Sequence, residues 1–441
     1  MTRRVLVVSY AFPPAGGPGV QRVLKLVKYL PELGFEPAVL TVRDGTFPAL
    51  DPSLLGEVPD GVSVLRTASL EPASLYKRFV GIPAAEPIPV AVLAEPSPSP
   101  RQRFAHFVRL NLFVPDAKIG WLPFAIARGR ELIRRFRPDV ILSSAPPPTN
   151  HLVAGYLAAA HRLPWVADFR DPWTDVHYYE GHHRLASARA LDAALERAVF
   201  QRADRLVFVS GADSDKAAAT HGTGGKHHTV PNGFDEEDFE AVEASEPPGG
   251  RFELMHLGSI GAERTPSGLL TVLGRLQDRG EVSPATFRLT LVGKVEPSVG
   301  RAIDEVGVAG VVERVPYVPH DQAVRLGQRA TALLLLVTRS QGSDRILPGK
   351  TFEYLRHQRP VLALGPPGGE VARVLAQTGG GRLFAYDDEE GIEGELARLL
   401  SAHREGRRLP AAPPEAVARY TRRHIAGELA GILTAAMEAH T

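Results

Sequence analysis

Residues 4–30 read RVLVVSYAFPPAGGPGVQRVLKLVKYL, and this stretch decides the fold class. Its first part, Arg4–Ser9, is an almost continuous apolar run of strand length, as expected of a parallel strand buried on both faces. Apolar residues then recur at helical spacing from Val20 to Leu30. The other face of this helix carries Gln21, Arg22, Lys25 and Lys28. A second strand pattern, GFEPAVLTV at residues 34–42, completes a βαβ unit.

Strand and helix patterns continue to alternate, which is typical of a parallel sheet covered by helices. Strand patterns occur at DVILSS, PWVAD and RLVFVS, with helix patterns near residues 124–136, after residue 150 and near residues 185–200. The charged, Pro- and Gly-rich stretch EASEPPGG at residues 243–250 has no periodicity, and the alternation restarts after it with FELMHLG. We therefore predict two α/β domains, residues 1–242 and 251–414, joined by a linker at 243–250.

The composition argues against several functional classes. The net charge of +1 gives no reason to expect a nucleic acid partner, and without cysteine there is no disulfide, thiolate nucleophile or Cys-ligated zinc ion. No apolar stretch approaches the ~20 residues of a membrane-spanning helix, and MTRR leads directly into a strand pattern. We therefore predict a cytoplasmic protein.

The least regular segment, residues 84–113, has two interpretations. Residues 84–103 predict a loop or a mobile lid, and the sequence FAHFVRLNLFV that follows mixes large apolar and basic residues. It fits a core-facing helix of the first domain, which we favour. The alternative is a peripheral contact with the inner face of a membrane or with a lipid-linked acceptor.

Glycines follow the first strand of the first domain. The turn PPAGGPGVQR at residues 13–22 includes Gly16 and Gly17, which let the backbone approach a ligand ahead of a helix N-terminus. It lacks the G-x-G-x-x-G spacing of a dinucleotide fingerprint, and the chain has no P-loop. The alternative is a tight turn that needs a positive φ at one glycine.

Charged residues follow a later strand of the same domain in DFRDPWTD, residues 168–175. Asp168, Arg170 and Asp171 would orient the hydroxyl groups of an acceptor, since ligands of open α/β sheets bind at strand ends. The alternative is a loop held by internal salt bridges. The turn VPNGFD at residues 230–235 is explained as well by a structural turn as by ligand contact.

The second domain carries two further motifs. LGSIGAERTPSG places Gly258 and then Arg264 between a strand and a helix, so that backbone amides and one cation could meet a phosphate group. In RILPGKTFEYL, Gly349 forms a turn, and Lys350, Thr351 and Glu353 fall in the first turn of the next helix. A cation for phosphate beside an acid for paired hydroxyls suits a nucleotide sugar. The alternative is an i,i+3 surface pair.

No metal site is predicted. The histidines of HYYEGHH (177–183) and KHH (226–228) lack helical i,i+4 ligand spacing, and solvated loops explain them better. The second domain has no Asp-x-Asp pair at a strand end.

Together the motifs resemble the GT-B glycosyltransferases of family 4. The resemblance rests on the order of SYAFPPAGGPGVQR, PDVILSSAPPPTNHL, WVADFRDPWTD, RADRLVFVS, VPNGFD, LGSIGAERTPSG and PGKTFEYLRHQRPVLALGPPGGE over nearly the whole chain. Bacterial members that glycosylate polysaccharides, glycolipids or natural products share the DFRDPW segment. The resemblance implies two Rossmann-like domains whose parallel sheets face an interdomain cleft, with the C-terminal helix, residues 415–441, crossing back to the first domain.

The family's site residues carry over by position. Gly16 and Gly17 match the glycine loop that faces the donor diphosphate, and Arg264 matches a basic residue on that diphosphate. Glu353 matches the second acid of the Glu-x7-Glu motif, which holds the ribose hydroxyls.

Two positions depart from this pattern. Arg345 stands where the first acid of the motif would contact the transferred sugar, and Ser259 stands where many members carry arginine. We infer that Lys350 supplies the missing cation. We count Arg345 among the donor-binding residues, together with Gly258, Gly349 and Thr351.

The implied activity is a retaining, metal-independent hexosyl or other glycosyl transfer. The donor would be a nucleoside diphosphate sugar, most simply a UDP-sugar, bound as a substrate with no cofactor, and the acceptor a hydroxyl group. Two alternatives remain: a sugar-nucleotide epimerase of similar architecture, and a non-catalytic protein that binds a nucleotide sugar.

Overall fold

The computed structural model describes residues 2–47, 49–70, 100–176, 183–240, 250–407 and 409–440. The chain forms two compact units. The first comprises Met1–Pro231 together with Arg423–Thr441, and the second comprises Asn232–Arg422.

The first unit contains a seven-stranded parallel sheet in the order β3-β2-β1-β4-β5-β6-β7. Its strands are β1 (Arg3–Val8), β2 (Phe35–Val42), β3 (Ser63–Thr67), β4 (Val140–Ala145), β5 (Trp165–Phe169), β6 (Arg205–Phe208) and β7 (His227–Thr229). The strand order reverses between β1 and β4, and ligands of open α/β sheets bind outside the carboxyl ends of the strands at such a point.

Helices cover both faces of this sheet. They are α1 (Pro18–Tyr29), α2 (Pro100–Leu112), α3 (Leu122–Phe136), α4 (Thr149–His161), α5 (Ala186–Arg202), α6 (Gly211–His221) and α15 (Arg422–His440). Alternate residues of β1 serve different cores because successive side chains of a strand point to opposite faces. Val5 and Val7 belong to the core formed with α1 and α15, and Leu6 and Val8 belong to the core formed with α3 and α4.

The second unit contains a six-stranded parallel sheet in the order β10-β9-β8-β11-β12-β13. Its strands are β8 (Phe252–Leu257), β9 (Phe287–Val292), β10 (Val312–Val315), β11 (Ala332–Leu336), β12 (Val361–Leu364) and β13 (Gly381–Phe384). Its helices are α7 (Glu237–Glu240), α8 (Ser267–Asp278), α9 (Pro297–Val306), α10 (His320–Arg329), α11 (Lys350–Arg356), α12 (Glu370–Thr378), α13 (Glu389–Arg404) and α14 (Pro414–Val417). The order reverses between β8 and β11, so the predicted donor-site segments again follow the strands at the switch point.

The units divide at residue 231 rather than at the predicted residue 242. Phe234 already belongs to the second unit: its N–H donates to Tyr420 O at 3.1 Å, and its carbonyl accepts from the Arg422 N–H at 2.8 Å. Phe234 and Phe239 are buried in the core that also contains Tyr420. The C-terminal segment is shared: residues to 422 belong to the second unit, and 423–441 return to the first.

Three predicted segments lie partly outside the described residues. These are residues 84–99 of the segment 84–113, residues 177–182 of HYYEGHH, and residues 243–249 of the linker. The rest of the first segment forms α2, which buries Ala105 and Leu110 while Phe104 and Leu112 are exposed. Within the described ranges, no helix has both the length and the hydropathy needed to cross a membrane.

Candidate functional site

In the first unit, the turn after β1 and the first turn of α1 contain three glycines with different surroundings. Gly17 has φ 103°, is exposed, and leaves open space where a Cβ would stand. A Cβ at Gly16 would come within 3.1 Å of the Asp51 Cβ, and one at Gly19 would come within 2.9 Å of Arg170 Nη1. Of the two glycines predicted to face the donor, Gly17 alone points to open space, while Gly16 packs against the protein.

Asp168, at the end of β5, is fully buried and bonded to α1. Both of its oxygens accept hydrogen bonds from Arg22, at 2.7 Å from Nη2 and at 3.0 and 3.2 Å from Nε, and Oδ2 also accepts from Ser144 Oγ at 2.6 Å. Burial raises the pKa of Asp168, but the charge and hydrogen bonds of Arg22, the hydrogen bond from Ser144 and the charge of Arg170 together lower it more, so the net pKa is below its ordinary value. Asp168 therefore lies beneath the surface, where its hydrogen bonds anchor α1, and its contact with an acceptor stays a prediction.

Arg22 is the partner that the sequence pattern assigned to the solvent-facing side of α1. Its side chain is only 1% exposed, and its Nη1 and Nη2 also donate to Pro231 O at 2.8 Å and Val230 O at 3.0 Å. Lys25 on the same helix is likewise buried and paired with Glu57. The prediction of a polar outer face was wrong for these two residues because each is neutralised by a distant carboxylate.

Arg170 holds the backbone around the same edge. Its Nε donates to Ala145 O at 3.2 Å, and its two terminal nitrogens donate to the carbonyls of Gly19 and Pro146. The guanidinium thus joins the first turn of α1 to the loop that follows β4. Of the three predicted acceptor-binding residues, Asp171 is the one whose side chain is exposed.

Two residues in the first turn of α4 were not predicted as functional, although the motif PPPTNHL contains them. Asn150 is fully buried, accepts from Tyr10 N–H at 3.0 Å and donates to Ser144 O at 2.6 Å, which ties the end of β1 to the end of β4. His151 Nδ1 lies 2.8 Å from Ser143 Oγ, and burial lowers the pKa of His151 to about 3. A neutral imidazole therefore sits beneath this edge of the sheet.

In the second unit, the predicted residues around β8 and α11 come together. Gly258 has φ 133°, and a Cβ at this position would overlap the Lys350 ammonium group, so the ammonium lies directly against the end of β8. Burial lowers the pKa of Lys350; the charge of Glu353 acts in the opposite direction, and that of Arg264 lowers the pKa further. Two cations and one carboxylate are therefore electrostatically coupled at one point of the sheet edge.

The loop that carries Arg264 is braced by residues that were not predicted. Glu263 pairs with Arg264, with 3.1 Å between Oε1 and Nε, and its carbonyl accepts from the Arg339 N–H at 3.2 Å. Arg339 stacks 4.0 Å from the centre of the Tyr386 ring and donates to Thr265 O at 2.6 Å. The Arg339 position follows β11, and its place after a strand at the switch point was the available signal.

The remaining predicted donor-site residues lie on the segment before and within α11. Arg345 ends a short 3-10 turn, and its guanidinium occupies the space where a Cβ of Gly342 would stand. Gly349 leaves open space at its Cβ position. Thr351 is fully buried, which makes it a part of the packing under α11 rather than an exposed contact. Among the described residues, no group of three or more His, Asp or Glu side chains could hold a metal ion.

Each unit thus presents a distinct chemistry at its switch point. The first offers an open glycine, the amides of the first turn of α1 and the exposed Asp171. The second offers Arg264 and Lys350 beside Glu353. Cations stabilise phosphate groups, and a carboxylate accepts hydrogen bonds from hydroxyl groups.

The chain is similar to known proteins in a segment of its sequence and in its fold. Residues 83–238 match the family model described as Glycosyltransferase Family 4. Sucrose-phosphate synthase from Thermosynechococcus elongatus superposes with a TM-score of 0.64 at 15% identity, over 100% of both chains. A glycosyltransferase from Rickettsia africae ESF-5 does so with a TM-score of 0.60 at 12% identity, over 99% of both chains. Anabaena Alr3699/HepE in complex with UDP gives 0.61 at 14% identity, over 99% of this chain and 100% of the other. Among curated proteins, no match was found.

These findings confirm the resemblance that the motifs predicted. The family 4 glycosyltransferase model matches the segment that contains β4, β5 and the DFRDPW motif, and the two parallel-sheet units have the GT-B fold. At identities of 15% or below, the solved structures establish the fold alone.

Proposed function

We propose that this protein is a retaining, metal-independent glycosyltransferase that moves a sugar from a nucleoside diphosphate donor to a hydroxyl acceptor. The observation that carries the proposal is the placement of the Lys350 ammonium against Gly258, with Arg264 and Glu353 coupled to it. A donor of this class carries both features that such a cluster would recognise, a diphosphate and a ribose with two adjacent hydroxyls.

In the second unit, Arg264 and Lys350 would bind the diphosphate. Negative charge develops on the diphosphate as the sugar leaves, so fixed cations stabilise the transition state more than the ground state. Burial has already removed part of the hydration of Lys350, which strengthens its attraction for an anion. Glu353 lies three residues after Lys350 in the first turn of α11 and would accept hydrogen bonds from the ribose hydroxyls.

In the first unit, Gly17 and the amides of the first turn of α1 would leave room for the reacting groups, and Asp171 would orient the acceptor. Arg22, Asp168 and Arg170 would hold these groups in position through the contacts described above. In the proposed same-face displacement, the acceptor oxygen bonds to the anomeric carbon while the bond from that carbon to the phosphate oxygen breaks. The acceptor proton passes to the departing phosphate.

We propose a UDP-sugar as donor and a cytoplasmic location, with a polysaccharide, glycolipid or natural-product intermediate as acceptor. The structure of Anabaena HepE with UDP-glucose, which has the same fold, supports UDP. A lipid-linked acceptor would agree with the exposed Phe104, Phe107 and Leu112 of α2 beside Arg101 and Arg103.

The test is a panel of UDP-, GDP- and dTDP-sugars with and without acceptor alcohols, assayed in EDTA. Acceptor-dependent release of nucleotide supports the proposal. Acceptor-free isomerisation would indicate an epimerase, and binding without turnover would indicate a binding protein. Loss of turnover in EDTA that manganese or magnesium restores would overturn the metal-free mechanism.

A variant pair tests the donor site directly. Glu353→Gln should weaken UDP binding by roughly 1.5 to 3 kcal/mol, the range for hydrogen bonds to a charged group. The matched control is Asp321→Asn, which removes another acid from the first turn of a helix in the same unit, where it pairs with Arg325 on the surface. Equal UDP affinities of both variants in calorimetry would reject the role of Glu353.

A further inference from the structure

Tyr317 is an exposed aromatic side chain at the carboxyl edge of the second sheet. It follows β10 by two residues, is 81% exposed, and within the described part of the chain makes no hydrogen bond or ring contact. Pro316 and Pro319 flank it and limit the freedom of the backbone that carries the ring. An exposed aromatic ring at this edge of the sheet can stack on a planar group of a ligand.

The sheet edge between Tyr317 and Lys350 carries no side chain at its two central positions. The Gly293 N–H donates to Val315 O at 2.8 Å, and the Gly258 N–H donates to Val292 O at 2.7 Å, so the ends of β10, β9 and β8 are joined in a row. A Cβ at Gly293 would lie 2.8 Å from the carbonyl carbon of Gly258. Both glycines have positive φ, at 122° and 133°. They form a floor of backbone, with the Lys350 ammonium over Gly258 at one end of it.

The dimensions of this floor fit a nucleotide. Neighbouring strands are about 4.8 Å apart, so the end of β10 lies about 10 Å from the end of β8. A nucleoside diphosphate separates its base from its β-phosphate on the same scale. With the diphosphate at Lys350 and Arg264, the base would reach the side of the floor where Tyr317 stands.

We propose that Tyr317 is a stacking platform for the nucleobase of the donor. The inference rests on the proposed function, since it takes the diphosphate to lie at Lys350. Every base has a flat π-face, so stacking adds affinity without choosing the base. Tyr317 therefore recognises that a base is present, while the choice among uracil, guanine and thymine lies with other groups.

The experiment compares UDP with inorganic pyrophosphate, which has no base, on Tyr317→Ala and Tyr317→Phe. Tyr317→Ala should weaken UDP binding roughly 5- to 150-fold, the range for losing one stacked base, and leave pyrophosphate binding unchanged. Tyr317→Phe should bind UDP like the unmodified protein because the ring remains. Tyr156→Ala, which removes a half-exposed tyrosine from the first unit, is the control.

Three results would overturn the inference. Unchanged UDP affinity in Tyr317→Ala, with UDP affinity still reduced in Glu353→Gln, removes the stacking role and leaves the proposed function standing. Equal losses for UDP and pyrophosphate in Tyr317→Ala would show that the loop, and not the ring, matters. Absence of nucleotide binding by the unmodified protein would reject both the inference and the proposed function.

Discussion

Replacing Asp168 by asparagine tests whether this residue anchors α1 or contacts the acceptor. The change keeps the shape of the side chain but removes the charge that neutralises Arg22, and the two side chains are 0% and 1% exposed. Removing one partner of a buried ion pair leaves the other charge uncompensated and costs about 3 to 5 kcal/mol. Arg22 keeps its bonds to the carbonyls of Val230 and Pro231, which offset part of this loss. We therefore expect a loss at the lower end of this range, about 3 kcal/mol, in the unfolding free energy of the first unit.

Urea unfolding at neutral pH measures this loss, and Asp175→Asn provides the matched control. Asp175 lies seven residues after Asp168 and pairs with Lys216, but both side chains are about half exposed. An exposed pair contributes only about 0 to 1 kcal/mol. A positioning role also predicts that Asp168→Asn lowers kcat while the KM for the donor is unchanged, because the residues proposed to bind the donor lie in the second unit. A stability loss no larger than that of Asp175→Asn, together with a raised KM for the acceptor, would refute this reasoning and restore a direct contact.

Two further predictions concern acid stability and the glycine turn. Burial lowers the pKa of His256 and His357 to about 3. Between pH ~6.5 and pH 3, both imidazoles therefore stay neutral in the folded second unit, whereas the same histidines bind protons in the unfolded chain. The stability that these two neutral histidines contribute is fully present above pH ~6.5 and should be lost at about 3 kcal/mol per pH unit as the pH decreases towards 3. His256→Gln should roughly halve this slope when the stability of the second unit is measured by urea unfolding at each pH, and an unchanged slope would contradict the prediction. Gly17→Ala and Gly34→Ala both place a side chain at positive φ with open space around it. Gly34 is in the left-handed α region, where the change should cost about 1 to 2 kcal/mol of stability, and Gly17, at φ 103° and ψ 168°, should lose about 1 to 3 kcal/mol. Gly17→Ala alone should lower turnover, and equal activities of the two folded variants would return Gly17 to a structural role.

The central strands of both units could be predicted from sequence, and the edge strands could not. β1, β4, β8 and β11 are short apolar runs because both faces of a central parallel strand are buried. The edge strand β10 reads VERV, with two exposed charged residues, and β7 reads HHT. Neither contains the apolar run that marks a buried strand. The boundary at residue 231 was missed for a related reason: Phe234 belongs to the second unit through Tyr420 and Arg422, which lie far along the chain.

The proximity of Lys350 and Glu353, which we propose bind the donor, was easier to predict from the sequence than the pairing of Arg22 with Asp168 in the first unit. Lys350 and Glu353 are three residues apart on one helix, so their proximity follows from local geometry. Arg22 and Asp168 are 146 residues apart, and helical periodicity placed Arg22 in solvent because the pattern of a helix says nothing about a distant carboxylate. The burial of a charged residue can be predicted only together with its partner. Which distant residues form a pair depends on the topology of the sheet.

The three glycines that follow β1 are glycine for different physical reasons. A side chain at Gly16 would crowd Asp51, and a side chain at Gly19 would crowd the guanidinium of Arg170. Gly17 is different, because its φ of 103° favours glycine while the space around it stays open. An open, side-chain-free position that packing does not require is where a ligand could approach the backbone. Gly258 differs from Gly17, because the Lys350 ammonium occupies the space where its side chain would stand. A ligand at the end of β8 would therefore meet this cation and not bare backbone, as the proposed binding of a diphosphate requires.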